Sequence, residues 1–166
     1  MANPSKNKGT CMETWTVRYL AWALQDTRID RMPLKGDADQ GDLAGVRYAG
    51  EKVCVECKDT KQPQYRRFWQ RTLEEAANMD APYAVLVRHR RGVGVKSLNG
   101  MARQMAVMDT AMAERFLDAC RAGDDFKAMV RREARAVRGT PTLVWMPLEL
   151  FALILNHGLP LGPEDR

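Results

Sequence analysis

Three side chains in this sequence have the types and spacing for hydrolytic chemistry. Asp42 follows Gly41, and Glu56 and Lys58 end the run Val53-Cys54-Val55-Glu56-Cys57-Lys58, with thirteen residues between the two acids. Phosphodiester hydrolysis needs a held divalent cation, a placed water and compensation for charge building on the phosphate. A hard cation such as Mg²⁺ takes carboxylate and carbonyl oxygens and keeps several of its waters. Asp42 and Glu56 would supply the carboxylates, the backbone carbonyl of Cys57 a third ligand, and Lys58 would orient or deprotonate the attacking water. Carboxylates gathered at one point repel, and a bound cation relieves that repulsion. Lys58 relieves it as well, so a plain cross-strand charge cluster remains the alternative.

These groups need a hairpin to bring them together. Residues 43–48 read as one arm, Ala49-Gly50 as the turn and residues 52–58 as the other arm. Side chains alternate along a strand, so Val53, Val55 and Cys57 share one face while Cys54, Glu56 and Lys58 share the other. The same parity sends Cys54 and Cys57 apart, which argues against zinc or redox use of this C-x-x-C; the four cysteines are expected as free thiols. A helix is predicted at 64–78, a buried strand at 83–88, and a further short strand is weighed at 92–95. From 98 to 138 the pattern reads as helical, with one helix over 99–121 and a second over 124–138 capped by Asp124 or Asp125. Met101, Met105, Met108 and Met112 recur at helical spacing there, as core or dimer contacts. A last strand at 142–146 and a helix at 148–156 close the chain. At the other end, Thr10 and Glu13 form a capping box for a helix over 12–25. Residues 27–41 read as loop, with a short strand near Ile29. The expected architecture is a mixed α/β sheet flanked by helices. One domain would span 10–158, including a helical insertion at 98–138, between a flexible basic tail at 1–9 and a flexible C-terminal tail at 159–166.

Lys8-Gly9-x-x-x-Glu13, then Gly41-Asp42, then Val55-Glu56-Cys57-Lys58 resemble, in order and spacing, the PD-(D/E)xK nuclease superfamily. Within it they are similar to the archaeal-type Holliday junction resolvases and their phage relatives, over about residues 8–90. The resemblance implies a restriction-endonuclease-like fold, a homodimer, branched DNA as substrate and Mg²⁺ or Mn²⁺ as cofactor. It makes Asp42 and Glu56 metal ligands, Lys58 the catalytic lysine, and Glu13 an additional acid approaching the metal from the first helix. Asp37 and Asp39, in the loop before Asp42, could reach the ion through water. The proline of the superfamily's name is missing, since Gln40-Gly41 precedes Asp42. The segment 98–138 also exceeds what compact resolvases carry, which bears on junction specificity more than on nuclease chemistry. Action on linear or single-stranded DNA, and non-catalytic DNA binding, are the rival readings.

Basic residues suggest where DNA would lie. Lys8, Arg66, Arg67, Arg88, Arg90 and Arg91 are candidates, together with Arg131 and Arg135, which with Arg138 would form one stripe on a helix. Arg71 lies on the same helix as Arg66 and Arg67. Net charge is +5, with 26 Lys and Arg against 21 Asp and Glu, a moderate bias toward polyanions. No recognition-helix or zinc-finger signature appears, so readout of DNA structure fits better than readout of sequence. The first residues lack the apolar stretch of a signal peptide. The longest apolar run, 143–155, is interrupted by Pro147 and Glu149 and too short to span a bilayer. A protein without membrane contact is therefore expected, cytoplasmic or acting in a host cell as a phage product.

Overall fold

Residues Val53 to Cys57 are buried whichever way they point, the signature of a strand covered on both sides. In the computed structural model, which describes residues 3–34, 36 and 38–164, that strand lies inside a mixed sheet. In chain order the elements are α1 (Pro4–Ala23), β1 (Asp30–Arg31), β2 (Leu43–Ala44), β3 (Arg47–Tyr48), β4 (Glu51–Lys58), α2 (Tyr65–Asn78), β5 (Tyr83–Arg88), α3 (Leu98–Ala102), β6 (Met105–Asp109), α4 (Thr110–Ala119), α5 (Asp124–Glu133), β7 (Arg135–Val137), β8 (Thr140–Pro147) and α6 (Leu148–Leu155). Six strands pair in the order β3-β4-β5-β6-β8-β7, and β1 and β2 form a separate two-stranded ribbon. Only β4 and β5 run parallel in the large sheet, joined by α2 as a crossover. The class is mixed α/β, with helices on both faces.

The two faces have different covers. Cys54 donates through its thiol to the Thr72 carbonyl of α2, and the Tyr65 hydroxyl of α2 reaches Met105. Trp69 donates its indole N–H to Asp109 at 3.0 Å, so α2 lies across the face that carries Glu56. On the opposite face the Cys57 thiol meets Thr16 of α1, and Tyr48 donates to the Phe116 carbonyl of α4 at 2.7 Å. The expected parity of β4 is therefore observed, and all four cysteines are free. Ala49 and Gly50, with φ of 49° and 81°, make the tight turn between β3 and β4.

Several expectations are corrected. Residues 4–9 belong to α1: Asn3 caps it by accepting the Ser5 N–H at 3.1 Å, and Pro4 fills its first turn. This Asn-Pro start is the stronger signal, so Thr10 and Glu13 lie within the helix and form no capping box. The helix over 99–121 is absent. Ser97 caps α3 by accepting from Gly100 at 2.9 Å, and Asp109 caps α4 by accepting from Met112 at 2.7 Å. Between them Met105 to Met108 are buried as β6, paired on both edges. The second helix ends at Glu133, with Gly123 rather than Asp124 or Asp125 at its N-cap, and residues 135–137 form β7. Gly139, at φ 79°, sits in the turn from β7 to β8. Residues 98–138 are thus no helical insertion but a continuation of the sheet through β6 and β7. Residues 92–95 form no strand. Residues 159–162 are fastened rather than loose: Asn156 donates to the Leu159 and Pro160 carbonyls and Gly162 to the Ala23 carbonyl. No helix among the described residues is long and apolar enough to cross a membrane.

Candidate active site

Asp42 reaches β4 through its backbone as well as its side chain. Its N–H donates to the Val55 carbonyl at 2.9 Å, and its Oδ2 accepts the Cys57 N–H at 2.7 Å. Gly41 permits this approach. Its φ is 79°, and a Cβ there would stand 3.0 Å from the Cys54 sulfur and 3.1 Å from the Val55 carbonyl oxygen. Carbonyls alternate sides along a strand with the N–H groups of the same residues. The Lys58 carbonyl faces β5, where it accepts from His89 at 3.0 Å. The Cys57 carbonyl therefore faces the Asp42 side, as the third-ligand reading requires.

Glu56 and Lys58 project together from the α2 face. Glu56 is 4% exposed and accepts a hydrogen bond from the Lys58 ammonium. The ammonium also lies 5.9 Å from the centre of the Phe68 ring. Above Glu56 stands an acid that sequence reasoning missed. Glu75 of α2 is 2% exposed and raises the Glu56 pKa; it binds Arg71 Nε at 3.0 Å through Oε1, while its Oε2 has no partner among the described residues. Its sequence signal was its place on the sheet-facing side of α2, beside Trp69, Thr72 and Ala76.

Burial and mutual repulsion dominate the electrostatics here. Burial, then the nearby Glu56 charge, pushes the Asp42 pKa up to about 8, against the stabilising Cys57 N–H. Burial, then the neighbouring Glu75 carboxyl, pushes Glu56 up to about 7, against the pull of Lys58. Burial works against the Lys58 charge, but Glu56, Asp42 and Glu75 outweigh it and hold the ammonium pKa above its ordinary value. A buried carboxyl and a half-buried one that resist ionising together form a donor set that a cation would relieve. They fit Mg²⁺ or Mn²⁺ in type, with the Cys57 carbonyl beside them. Among the described residues no three His, Cys, Asp or Glu side chains converge to hold an ion. A cation would therefore rest on two carboxylates, one carbonyl and water, an arrangement Mg²⁺ accepts.

The remaining predicted residues divide. Glu13 is turned to Arg31, at 3.0 Å from Nε and 2.6 Å from Nη2, although its charge still raises the Asp42 pKa. Asp39 pairs with Arg71 at 2.8 Å, and its carbonyl accepts from Asn78 at 2.8 Å, tying the loop before Asp42 to α2. Asp37 lies outside the described residues. Arg88, expected at a DNA surface, is 7% exposed and donates to the His89 and Thr60 carbonyls at 2.9 and 3.0 Å. It stacks on Tyr65 and is withdrawn from any partner. The stripe of Arg131, Arg135 and Arg138 does not exist, because α5 ends between its members; Arg131 is instead paired with Glu114 at 2.8 Å. Lys8 is exposed on α1, remote in sequence from the strands that carry the acids. Arg66 and Arg67 are exposed on the first turn of α2, lining a groove of about 540 Å³ that Gly139 and Thr140 bound on the other side. Arg90 is half-buried and Arg91 and Arg135 are exposed.

No protein-family description, curated protein or solved structure matches this chain.

Proposed function

We propose that this chain is a divalent-cation-dependent DNA endonuclease of the PD-(D/E)xK type, acting inside a cell as a homodimer on branched DNA such as Holliday junctions. The sheet with helices on both faces would then be a restriction-endonuclease-like fold. The observation that carries the reading is that half-buried Asp42 and buried Glu56 are close enough for the Glu56 charge to raise the Asp42 pKa, with Lys58 bonded to Glu56. Mg²⁺ or Mn²⁺ bound there would supply positive charge to the phosphate and a more acidic water.

The chain's own groups have separate tasks. Asp42 is held by the Cys57 N–H, so its second oxygen is fixed in direction. Glu56 is held by the Lys58 ammonium, with Glu75 of α2 nearby raising its pKa. Lys58 keeps its proton, because its pKa is held above the usual lysine value. As an ammonium it orients the attacking water or a phosphate oxygen; a cation on the acids would offset the charges that hold its proton and let it take the proton of the water. Phe68 of α2 lies beside the lysine, whose side chain is 25% exposed and so open to an incoming water or phosphate.

The test is cleavage of a four-way junction, a linear duplex and a single strand, each with Mg²⁺ and with EDTA. Metal-dependent cutting of the junction alone is expected. Equal cutting of linear duplex would remove the branched-DNA assignment and keep the nuclease. No cutting of any DNA with Mg²⁺ or Mn²⁺ would remove the nuclease.

A further inference from the structure

The row of paired residues that starts at Glu56 continues across the sheet. Glu56 aligns with Leu86, Leu86 with Val107, Val107 with Trp145, and Trp145 with Arg135. Residues aligned across strands point to the same face, so Trp145 and Arg135 emerge on the side that carries Glu56 and Lys58. The half-buried Trp145 ring carries two guanidinium groups, with Arg90 5.1 Å and Arg135 5.8 Å from its centre. Neither arginine has an acidic partner among the described residues. An arginine stacked on an aromatic ring keeps its N–H edge free for a phosphate while losing little conformational freedom on binding.

Arg90 is also held through its backbone. Gln104 is fully buried and accepts the Arg90 N–H at 2.7 Å; its amide donates to the Gly94 and Gly100 carbonyls at 3.0 and 3.1 Å. The His89 ring bridges Asp59 at 2.9 Å and the Val93 carbonyl at 2.7 Å. Gly100 lets α3 close on the loop, since a Cβ there would lie 2.1 Å from the Gly94 carbonyl oxygen. A loop with this many internal ties presents its arginines in a fixed place.

We infer that Arg90 and Arg135, mounted on Trp145, form a phosphate clamp for the backbone of duplex DNA. This rests on the reading that the chain acts on DNA, and not on its catalysing anything. The clamp holds duplex by charge and shape, reads no base, and stands beyond the strands that carry the two acids. Trp145 is a positioning residue: it acts through the arginines rather than on the DNA.

The experiment is equilibrium binding of a labelled duplex in EDTA, where no cutting occurs, across a salt series. Each phosphate contact contributes about 0.9 to the slope of log affinity against log salt. Arg90→Ala with Arg135→Ala should lower that slope by about 2, whereas Arg131→Ala, whose partner is Glu114, should leave it near the wild-type value. Trp145→Leu should lower the slope as the double variant does, with both arginines still present, and Trp145→Phe should restore it. A double variant with the wild-type slope, or a wild-type protein with no salt-dependent binding, overturns the clamp. If Trp145→Leu fails to fold by circular dichroism, the arginine pair still decides. Binding with the expected slope but no Mg²⁺-dependent cutting would remove the nuclease and leave the clamp. Cutting with an unchanged slope would do the reverse.

Discussion

Asp26 and Glu114, each paired with an exposed arginine, and Asp42 and Glu56, set near one another at β4, are the same two residue types held in opposite ways. Asp26 faces Arg28 and Glu114 faces Arg131, each at 2.8 Å. In both, the hydrogen bond from arginine is the largest influence, and it lowers the carboxyl pKa. Asp42 and Glu56 are raised instead, by burial first and then by a neighbouring acid. The arginine-paired acids are placed where ionisation is easy. The inner pair is placed where ionisation is costly, with one lysine to offset it. Acids kept at such a cost are expected where they hold or move something.

The largest expected contrast is in cleavage. Glu56→Gln keeps the shape of the side chain and removes the charge that the proposed cation needs. Junction cleavage in Mg²⁺ should fall about a thousandfold, roughly 4 kcal/mol in barrier. Glu114→Gln should cut at the wild-type rate in the same assay. Equal rates for the two variants would leave the inner acids as an ordinary charge cluster.

Stability should move the other way and by less. The carboxyl of Asp42 rises from 3.8 to about 8 on folding and that of Glu56 from 4.5 to about 7. Between those values the native state binds more protons than the unfolded chain. Stability from these groups is therefore complete below about pH 4 and is lost as the pH rises through 7 and 8. Asp42→Asn can still accept the Cys57 N–H but cannot ionise. Without metal it should melt above wild type at about pH 8.5 and close to it at about pH 4, with each kcal/mol worth about 2–4 °C in a chain of this length. Mg²⁺ should raise the wild-type midpoint at the higher pH and leave the variant unmoved. An Asp42→Asn protein that melts below wild type at high pH would mean the carboxylate is not held at a cost.

The inner site was largely legible in the sequence, because local rules govern it. Alternation along Val53 to Lys58 sets which side chains share a face, and Gly50 supplies a positive φ that the tight turn needs. The support around the site was not legible. Glu75 comes near Glu56 across nineteen positions of sequence, and nothing local marks a glutamate as buried. Arg90 and Trp145 are brought together only by the order of strands β5, β6 and β8. β6 was misread because a strand buried on both faces loses its alternation. Met101, Met105, Met108 and Met112 then mimic a helix face, whereas Met105 and Met108 lie on β6 and point to opposite sides of the sheet. At the N-terminus two helix starts competed, and Asn3-Pro4 prevailed over Thr10 and Glu13.

The smallest expected effect tests whether the contrast is one of sign. Glu114 has a folded-state pKa below its unfolded value, so its contribution to stability is present above about 4.5 and lost as the pH falls through the folded value. Glu114→Gln should therefore lower the melting midpoint slightly at neutral pH, and the loss should fade below about pH 4, the reverse of Asp42→Asn. Its side chain is 51% exposed and that of Arg131 49%, so water and ions screen the pair and the loss should be smaller than the gain at Asp42. About 0.5 M NaCl should remove most of it, since the screening length there is only a few ångströms. Burial is the largest influence on Asp42 and salt does not undo it, so more of the Asp42→Asn gain should survive the same salt. A Glu114→Gln loss that persists in acid and in salt would come from packing rather than charge, and the two pairs would no longer differ in the way their pKa values say.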